Sequence, residues 1–305
     1  ALDRVEAADA PEAVVVHGPE PVRGGRVGVL PGSFNPPTLA HLELAREARR
    51  RFGLDTVAFS LSSVIVDKER VEGLCREDRL LLVSLLTADD PWAAAVVVNR
   101  GLYSEQVPAF RTCFGGDADL RFIVGMDKVL QIFDPRYYED RDAALDTLFA
   151  HVRVIAANRE DWGDEALRGL LDRPENAPYR DRVQSLTLPP HLRDQSSSAV
   201  RRGVGSGEPA GDAIAPAVRE FIEATGAYRE PYELRLAALD TLYPVREWAE
   251  EQVALDALLA RAAEPGTAGA DVREILHSPI PPEDLKTRLR NLGLTRTPLR
   301  SAPPE

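Results

Sequence analysis

The fold of this chain is decided by residues 26–41, which read RVGVLPGSFNPPTLAH. Residues 27–30 form a short apolar run typical of a buried strand, and an amphipathic helix is predicted to begin at residue 38. Gly32 lies between the two elements, where the absence of a side chain lets the backbone approach a ligand closely. The first turn of a helix carries unpaired N–H groups and partial positive charge, which suit a phosphate group. The stretch therefore predicts a strand, a phosphate-binding loop and a helix.

His41 is the first candidate for a functional side chain. Thr38 and His41 are three residues apart, so both lie on one face at the positive end of the predicted helix. Ala45, Ala48 and Phe52 continue that face and predict that the helix packs against a sheet. A histidine on an apolar helix face is more often structural, but a place beside a glycine loop at a helix start favours phosphate contact.

The composition argues against several classes of protein. The chain has 305 residues and a formal net charge of −12, which disfavours a surface that coats nucleic acid but still allows a local arginine cluster to bind a nucleotide. Its two cysteines, Cys75 and Cys113, provide neither a disulfide framework nor a metal-ligand spacing. We see no apolar run long enough to span a bilayer and no signal-peptide pattern. We expect a cytoplasmic protein without nucleic-acid or membrane partners, and a homo-oligomer is left open.

Apolar runs alternate with amphipathic stretches from residue 26 onward. Strands are predicted at residues 27–30, 56–61, 94–98, 120–124, 152–156 and 184–188, with a further candidate at 13–16. Helices are predicted at residues 38–52, 77–88, 106–114, 141–149, 164–171 and 216–225. This alternation predicts an α/β fold, namely a doubly wound, mostly parallel, Rossmann-like sheet with helices on both faces. Ligands bind such sheets at the carboxyl ends of the strands, near the topological switch point.

The loop and the helix start resemble a known signature, Gly32-Ser33-Phe34-Asn35-Pro36-x-Thr38-x-x-His41. It is similar to that of the HxGH-type nucleotidyltransferases, and within them to the nicotinamide/nicotinate mononucleotide adenylyltransferases. Many members have a histidine at the position of Thr38 and a glycine at that of Ala40, whereas the Thr-x-x-His form occurs in the nicotinamide-nucleotide branch. On this basis Thr38→His is expected to keep activity, because both side chains can bond phosphate. The resemblance implies that Gly32, Ser33, Phe34 and Thr38 bind ATP and that His41 is catalytic.

A second motif lies at residues 196–201, which read SSSAVR. A serine run by itself is more often a linker or a helix cap, but this one follows an apolar strand and places Arg201 three residues after Ser198. Serines at a helix start offer hydroxyls and N–H groups to phosphate oxygens, and we expect this helix to stop after one turn at Gly203. The run resembles the Ser-Ser-Thr-x-x-Arg motif of the same family. That resemblance implies that Ser197 and Ser198 bind ATP phosphates and that Arg201 stabilises the departing pyrophosphate.

The resemblance also implies roles for residues in the loops that follow three strands. Gly125 and Asp127 resemble a Gly-x-Asp element whose carboxylate accepts bonds from ribose hydroxyls, although an N-cap role is as plausible from the residues alone. Lys68 lies where the family has a phosphate-binding lysine, which implies that it is catalytic together with His41 and Arg201, whereas a loop lysine is otherwise usually solvated. Arg159 resembles the second member of a Thr-Arg pair near the adenine, with an asparagine in place of the threonine.

The acceptor mononucleotide is expected near the loop after the third strand. Arg100 and Tyr103 follow that strand, where family members hold the base and the ribose. Trp92 is a candidate to stack on the pyridine ring, although a tryptophan after a proline is at least as often simple packing.

Three segments are expected. Residues 1–25 are a peripheral N-terminal segment, residues 26–229 are the nucleotidyltransferase domain, and residues 230–305 are a helical C-terminal extension. The extension could serve as an extra helical layer, a subunit contact or a lid, of which the first two are favoured.

The reaction that the resemblance implies is adenylyl transfer from ATP to nicotinate or nicotinamide mononucleotide. Catalysis would come from alignment and charge neutralisation, with Mg²⁺ bound mainly through the ATP phosphates and no metal site made of protein side chains. One alternative keeps the fold and changes the acceptor, as in phosphopantetheine adenylyltransferases or glycerol-phosphate cytidylyltransferases. Another is a nucleotide-binding regulatory protein without turnover. An aminoacyl-tRNA synthetase is disfavoured because the chain is too short and acidic.

Overall fold

A seven-stranded sheet forms the centre of the computed structural model, which describes residues 5, 8–20, 24–64, 74, 76–158, 164–187 and 195–229. The strand order is β1-β4-β3-β2-β5-β6-β7. The strands are β1 (Ala13–His17), β2 (Arg26–Pro31), β3 (Thr56–Ser62), β4 (Ala93–Val98), β5 (Asp119–Gly125), β6 (Val152–Asn158) and β7 (Val183–Thr187). All neighbours are parallel except β1, which pairs antiparallel with β4. The sheet confirms the predicted doubly wound, mostly parallel α/β fold.

Eight α-helices accompany the sheet in the described part of the chain. They are α1 (Leu39–Phe52), α2 (Arg76–Leu86), α3 (Tyr103–Phe114), α4 (Met126–Phe133), α5 (Arg141–His151), α6 (Asp164–Leu171), α7 (Ser197–Gly205) and α8 (Pro216–Thr225). Short 3₁₀ helices occupy Pro135–Tyr137 and Ala177–Arg182. None of these described helices has the length and apolar character that crossing a membrane requires.

The helices lie on both faces of the sheet because the side chains of each strand alternate between the faces. On β3, Val57, Phe59 and Leu61 belong to the core layer that contains α1, α2 and α8. Ala58 points the other way, into the layer that contains α3, α4, α5 and α6. Both predicted helix layers are therefore present, and each buries one apolar face against the sheet.

β2 lies at the topological switch point, between β3 and β5. The chain leaves β2 toward β3 and β4 on one side, and the later strands β5, β6 and β7 add to the other side. A crevice opens at the carboxyl edge where the order reverses. The loop predicted to bind phosphate follows β2 and therefore lies at this edge.

The N-terminal segment makes more contacts with the sheet than the sequence predicts. β1 adds an edge strand, with Ala13 opposite Val98. The Asn99 side chain, just beyond β4, donates to the carbonyls of Ala8 (2.9 Å) and Ala10 (3.0 Å). The strand candidate at residues 13–16 is therefore present as β1, and a domain boundary at residue 26 leaves this strand out of the sheet.

Two helices differ from prediction. α4 was not predicted, because the residues after the predicted strand at 120–124 were interpreted as a ligand-binding loop. α7 was expected to stop at Gly203 but continues to Gly205, because Val200 and Val204 both pack into the core.

Candidate active site

The loop between β2 and α1 is anchored by Phe34. This side chain is fully buried, and its ring centroid lies 5.6 Å from that of Phe59 and 5.3 Å from that of His41. A Cβ atom added to Gly32 would approach the Phe34 ring to 2.8 Å, so the loop needs glycine at this position. The Gly32 N–H donates to the Ser60 carbonyl at 3.0 Å, which ties the loop to β3. Phe34, expected among the phosphate-binding residues, thus contributes its ring to the core instead.

His41 is held by Thr38 at the start of α1. The Thr38 N–H donates to His41 Nδ1 at 3.0 Å, and Thr38 Oγ1 lies 2.7 Å from the same nitrogen. In a neutral ring whose Nδ1 accepts this bond, the proton resides on Nε2, which makes Nε2 a donor. Thr38 itself is 0% exposed. These contacts indicate that the threonine orients His41, and the direct contact between Thr38 and phosphate stays a prediction.

The second motif folds directly onto the first. Ser197 Oγ donates to the Pro36 carbonyl at 2.7 Å, and Arg201 Nη1 donates to the Asn35 carbonyl at 2.6 Å. Arg201 Nη2 also lies 3.3 Å from Ser198 Oγ. The N-terminus of α7 is capped by Ser196, whose hydroxyl accepts from the Ala199 N–H at 3.1 Å. Two helix N-termini and one guanidinium therefore meet at the loop that follows the central strand.

Asn35 connects this loop to the end of the described chain. Its side chain is 2% exposed, and Oδ1 accepts from the Tyr228 hydroxyl at 2.8 Å and from the Leu74 N–H at 3.2 Å. Burial raises the pKa of Tyr228 well above its ordinary value, so the hydroxyl stays protonated and donates. The sequence does not predict the contact between Tyr228 and Asn35, because the two residues lie 193 positions apart in the chain.

A cavity of about 390 Å³ opens beside the loop, at the carboxyl ends of β2 and β3. Its lining includes Gly32 and Ser33 from the loop, whereas His41 and Arg201 are not among the described residues that line it. Arg79 and Lys128 bring positive charge to the wall, and the described lining contains no acidic side chain. Arg79 also donates to the Ser33 carbonyl at 3.0 Å. The cavity is suited to an anionic ligand placed next to the phosphate-binding loop.

Known proteins resemble this chain in sequence over most of the described residues. The model of the cytidylyltransferase-like family matches residues 29–203. A protein of Moorella thermoacetica named "Probable nicotinate-nucleotide adenylyltransferase" is 30% identical over 214 residues, which are 68% of this chain and 93% of that protein. A protein of the same name from Citrifermentans bemidjiense is 31% identical over 218 residues, 67% of this chain and 98% of the relative. The chain belongs to the nicotinate-nucleotide adenylyltransferase family. Members of this family are nucleotidyltransferases, and this chain is one.

A solved structure also aligns with this nucleotidyltransferase. It is the Plasmodium falciparum nicotinic acid mononucleotide adenylyltransferase complexed with NaAD. The alignment covers 67% of this chain and 97% of the Plasmodium chain. Its sequence identity is 14% and its TM-score is 0.49.

Tyr103 and Asp127 lie close together at the carboxyl edge of the nucleotidyltransferase sheet. Tyr103 lines the cavity, and burial together with the charge of Asp127 raises its pKa well above the ordinary value. Gly125 is the N-cap of α4 and Asp127 lies in its first turn, exposed to solvent. A Cβ atom on Gly125 would approach Asp127 Oδ1 to 2.5 Å, so an alanine here would displace the exposed Asp127 side chain.

Trp92 is at the wrong edge of the sheet for a substrate contact. It precedes β4, and its carbonyl accepts from the N–H of Val57 near the start of β3, at 3.0 Å. Its ring packs against the core and lies 5.4 Å from the Arg49 guanidinium. These contacts place Trp92 at the amino ends of parallel strands, opposite the cavity. The prediction that it stacks on the pyridine ring is wrong.

Arg100 is at the correct edge but is directed away from the cavity. Its guanidinium donates to the carbonyl of Asn99 at 2.9 Å and to the carbonyl of Asp9. Its side chain is not among the described groups that line the cavity. Arg100 therefore holds the N-terminal segment, an arrangement that does not support its predicted contact with the mononucleotide.

Several predicted features lie outside the described residues. They are Lys68, Arg159, Cys75 and the extension at residues 230–305.

Sequence reasoning also missed several residues that line the cavity. They are Ser60, Arg79, Gln106, Lys128, Tyr137 and Tyr138. Lys128 and the two tyrosines lie in and after α4, the helix that was not predicted. Ser60 and Gln106 left a weaker signal, because each is a polar residue at a position where the periodicity of its element expects an apolar one.

Proposed function

We propose that this nucleotidyltransferase transfers the adenylyl group of ATP to nicotinate or nicotinamide mononucleotide, in the biosynthesis of NAD. The observation that carries the proposal is the direct contact between the two motifs. Ser197 and Arg201 donate hydrogen bonds to the carbonyls of Pro36 and Asn35. This contact brings the positive N-terminal ends of α1 and α7 to one place, where they can bind the phosphates of ATP together.

The reaction in this proposal is a single displacement at phosphorus. An oxygen of the mononucleotide 5′-phosphate forms a bond to the α-phosphorus of ATP, and the bond between that phosphorus and the pyrophosphate oxygen breaks. The protein forms no covalent intermediate, so it acts by alignment and by stabilising charge. His41 would donate from Nε2 to a phosphate oxygen, and Arg201 would offset the charge that develops on pyrophosphate.

Mg²⁺ belongs to this proposal as a companion of ATP. His41, Arg201 and the serine hydroxyls of α7 donate hydrogen bonds and are not the carboxylate ligands that Mg²⁺ prefers, so phosphate oxygens and water would hold the ion. When bound there it would neutralise charge on the transferring phosphoryl group.

The cavity beside the loop is the proposed site for the mononucleotide. Its volume of about 390 Å³ falls within the range of small-molecule sites. Arg79 and Lys128 would attract the 5′-phosphate. Tyr103 and Tyr137 also line the cavity and offer aromatic faces for the pyridine ring. The ligand would then lie with its phosphate near the loop that holds ATP.

Pyrophosphate release tests this function. The protein is incubated with ATP, Mg²⁺ and one acceptor at a time: nicotinate mononucleotide, nicotinamide mononucleotide or phosphopantetheine. Release with a pyridine mononucleotide supports the proposal, and the ratio of kcat/KM values gives the preferred acceptor. Release with phosphopantetheine alone would contradict it. Measurable ATP binding without release in any of the three mixtures would also contradict it and favour a regulatory binder.

A further inference from the structure

Ser60 is an unusual residue for the interior of β3. It is 1% exposed, and it shares a strand face with Ala58 and Ser62, where apolar side chains of the neighbouring strands fill the core. The hydroxyl of Ser62 donates to the carbonyls of Val64 (2.7 Å) and Arg100 (2.9 Å). The hydroxyl of Ser60 has no hydrogen-bond partner among the residues that the structure describes. Ser60 lines the cavity directly beside Gly32.

Gln106 supplies a second polar atom of the same kind. Its side chain is 3% exposed and lines the same cavity. Nε2 donates to the carbonyls of Arg100 at 2.9 Å and Gly101 at 3.0 Å, so both amide hydrogens are used and the orientation of the amide is set. Oε1 is buried and has no partner within the described chain. Both residues that carry an unpartnered buried polar atom thus lie in the wall of the same cavity.

Two buried polar atoms without partners at one cavity indicate a ligand that satisfies them. Leaving such atoms unpaired destabilises a folded protein, and most buried polar groups are hydrogen-bonded. A hydroxyl can donate or accept, whereas an amide oxygen only accepts. The pair is therefore complementary to a group that offers an N–H or O–H donor, and a carboxylate would have no hydrogen to give Gln106.

We propose that Ser60 and Gln106 bind a hydrogen-bond donor of the acceptor mononucleotide and so determine its affinity. This inference rests on the proposed function of the site. Two groups of a pyridine mononucleotide have this chemistry, the carboxamide N–H of the nicotinamide form and the ribose hydroxyls of both forms. Ser60 and Gln106 thus affect the affinity for the mononucleotide, whereas the loop after β2 and the N-terminus of α7 align ATP.

Ser60→Ala is the decisive variant, because it removes one hydroxyl without disturbing any described contact. The KM for the bound mononucleotide should rise about three- to tenfold, the effect of one lost hydrogen bond. The KM for ATP should not change, and the melting temperature should stay equal or rise slightly, since an unpaired buried hydroxyl is removed. Ser84→Ala is the matched control, because the Ser84 hydroxyl donates to the Leu80 carbonyl within α2.

Comparison of the two mononucleotides distinguishes the carboxamide N–H from the ribose hydroxyls as the bound donor. An increase in KM for the nicotinamide form alone assigns the contact to the carboxamide, and an equal increase for both forms assigns it to a ribose hydroxyl. Unchanged KM values for both forms would overturn the inference while leaving wild-type turnover as support for the proposed function. If the wild type shows no turnover, that result contradicts only the proposed function. Calorimetric titration with each mononucleotide then compares the affinities of the wild type and Ser60→Ala directly.

Gln106→Met provides a second measurement. Methionine keeps the length of the side chain but removes the acceptor and both donors. We expect a rise in mononucleotide KM at least as large as for Ser60→Ala, together with a lower melting temperature because the carbonyls of Arg100 and Gly101 each lose the hydrogen bond from Nε2. A lower melting temperature with unchanged KM would show that Gln106 only supports the loop and would overturn its part in binding.

Discussion

Arg201 Nη1 donates a 2.6 Å hydrogen bond to the backbone carbonyl of Asn35, 166 positions earlier in the chain. The bond joins the first turns of α7 to the loop that follows the central strand. Arginine suits this place because its guanidinium bonds two partners at once, here the Asn35 carbonyl and the Ser198 hydroxyl at 3.3 Å. One side chain thereby fixes the distance between the two motifs that the proposed reaction requires.

Arg201→Ala should lower kcat by about 100- to 1,000-fold, the usual cost of removing one donor that stabilises developing charge. The kcat of Arg201→Lys should lie between those of the wild type and Arg201→Ala, because an ammonium keeps the charge but cannot replace the planar guanidinium fork. Arg202→Ala, an exposed neighbour on the same helix, is the control and should keep kcat near the wild-type value. Equal kcat values for the wild type and Arg201→Ala would remove Arg201 from the proposed mechanism.

Thr38 should act through His41. His41→Ala is expected to reduce kcat by about 100-fold or more. Thr38→Val removes only the hydroxyl beside Nδ1 and leaves the backbone N–H bond, so we expect a smaller loss of about three- to tenfold in kcat. Thr112→Val is the control, since the Thr112 hydroxyl donates to the Pro108 carbonyl within α3. A loss in Thr38→Val as large as in His41→Ala would show that the threonine has a direct catalytic role.

Thr38→His reverses an expectation drawn from the sequence. The family signature suggests that a histidine here would keep activity. Thr38 is fully buried, however, and a larger side chain in a packed site costs about 1–3 kcal/mol of unfolding free energy. We expect a lower melting temperature together with lower kcat. A variant with wild-type stability and wild-type kcat would show that the site can expand.

Gly32→Ala should destabilise the protein through a steric clash. The new Cβ atom would lie 2.8 Å from the Phe34 ring, which is buried and cannot move aside. Overpacking of this kind costs about 1–3 kcal/mol, measured as unfolding free energy in denaturant. Gly169→Ala is the control, because no atom lies within 4 Å of its added Cβ and alanine favours the helix. Its unfolding free energy should increase, and a decrease comparable to that of Gly32→Ala would contradict the steric explanation.

Tyr228→Phe should affect both stability and turnover. The variant removes the hydroxyl that donates to Asn35 Oδ1 at 2.8 Å, which is expected to cost about 0.5–1.5 kcal/mol and to loosen the loop. Tyr179→Phe removes a comparable bond, 2.8 Å to Asp146 Oδ1, at the other end of the fold. Both variants should lose stability, but only Tyr228→Phe should lower kcat. Equal kcat values in the two variants would confine Tyr228 to a structural role.

Local patterns explain the parts of the site that could be predicted. Gly32, His41, Ser198 and Arg201 were predicted from their spacing within a loop and two helix starts, and the structure brings the two motifs that contain them together. Trp92 was misplaced although the predicted strand at residues 94–98 already put it before the strand, where the amino end lies. Trp92 is close in sequence to the predicted substrate loop, but the direction of the strand puts it at the opposite edge of the sheet.

The sequence by itself determined the alternation of strands and helices, the phosphate-binding loop after the central strand and the pair of motifs, because periodicity and turn residues are local properties. The tertiary structure decided which side chains meet. Only the packed sheet brings Tyr228 to Asn35 and turns Arg100 toward the N-terminal segment. Only the packed sheet also leaves the Ser60 hydroxyl and Gln106 Oε1 without a hydrogen-bond partner among the described residues at one cavity. Such contacts join residues far apart in the chain, and they depend on strand order, strand ends and burial, which no local pattern specifies.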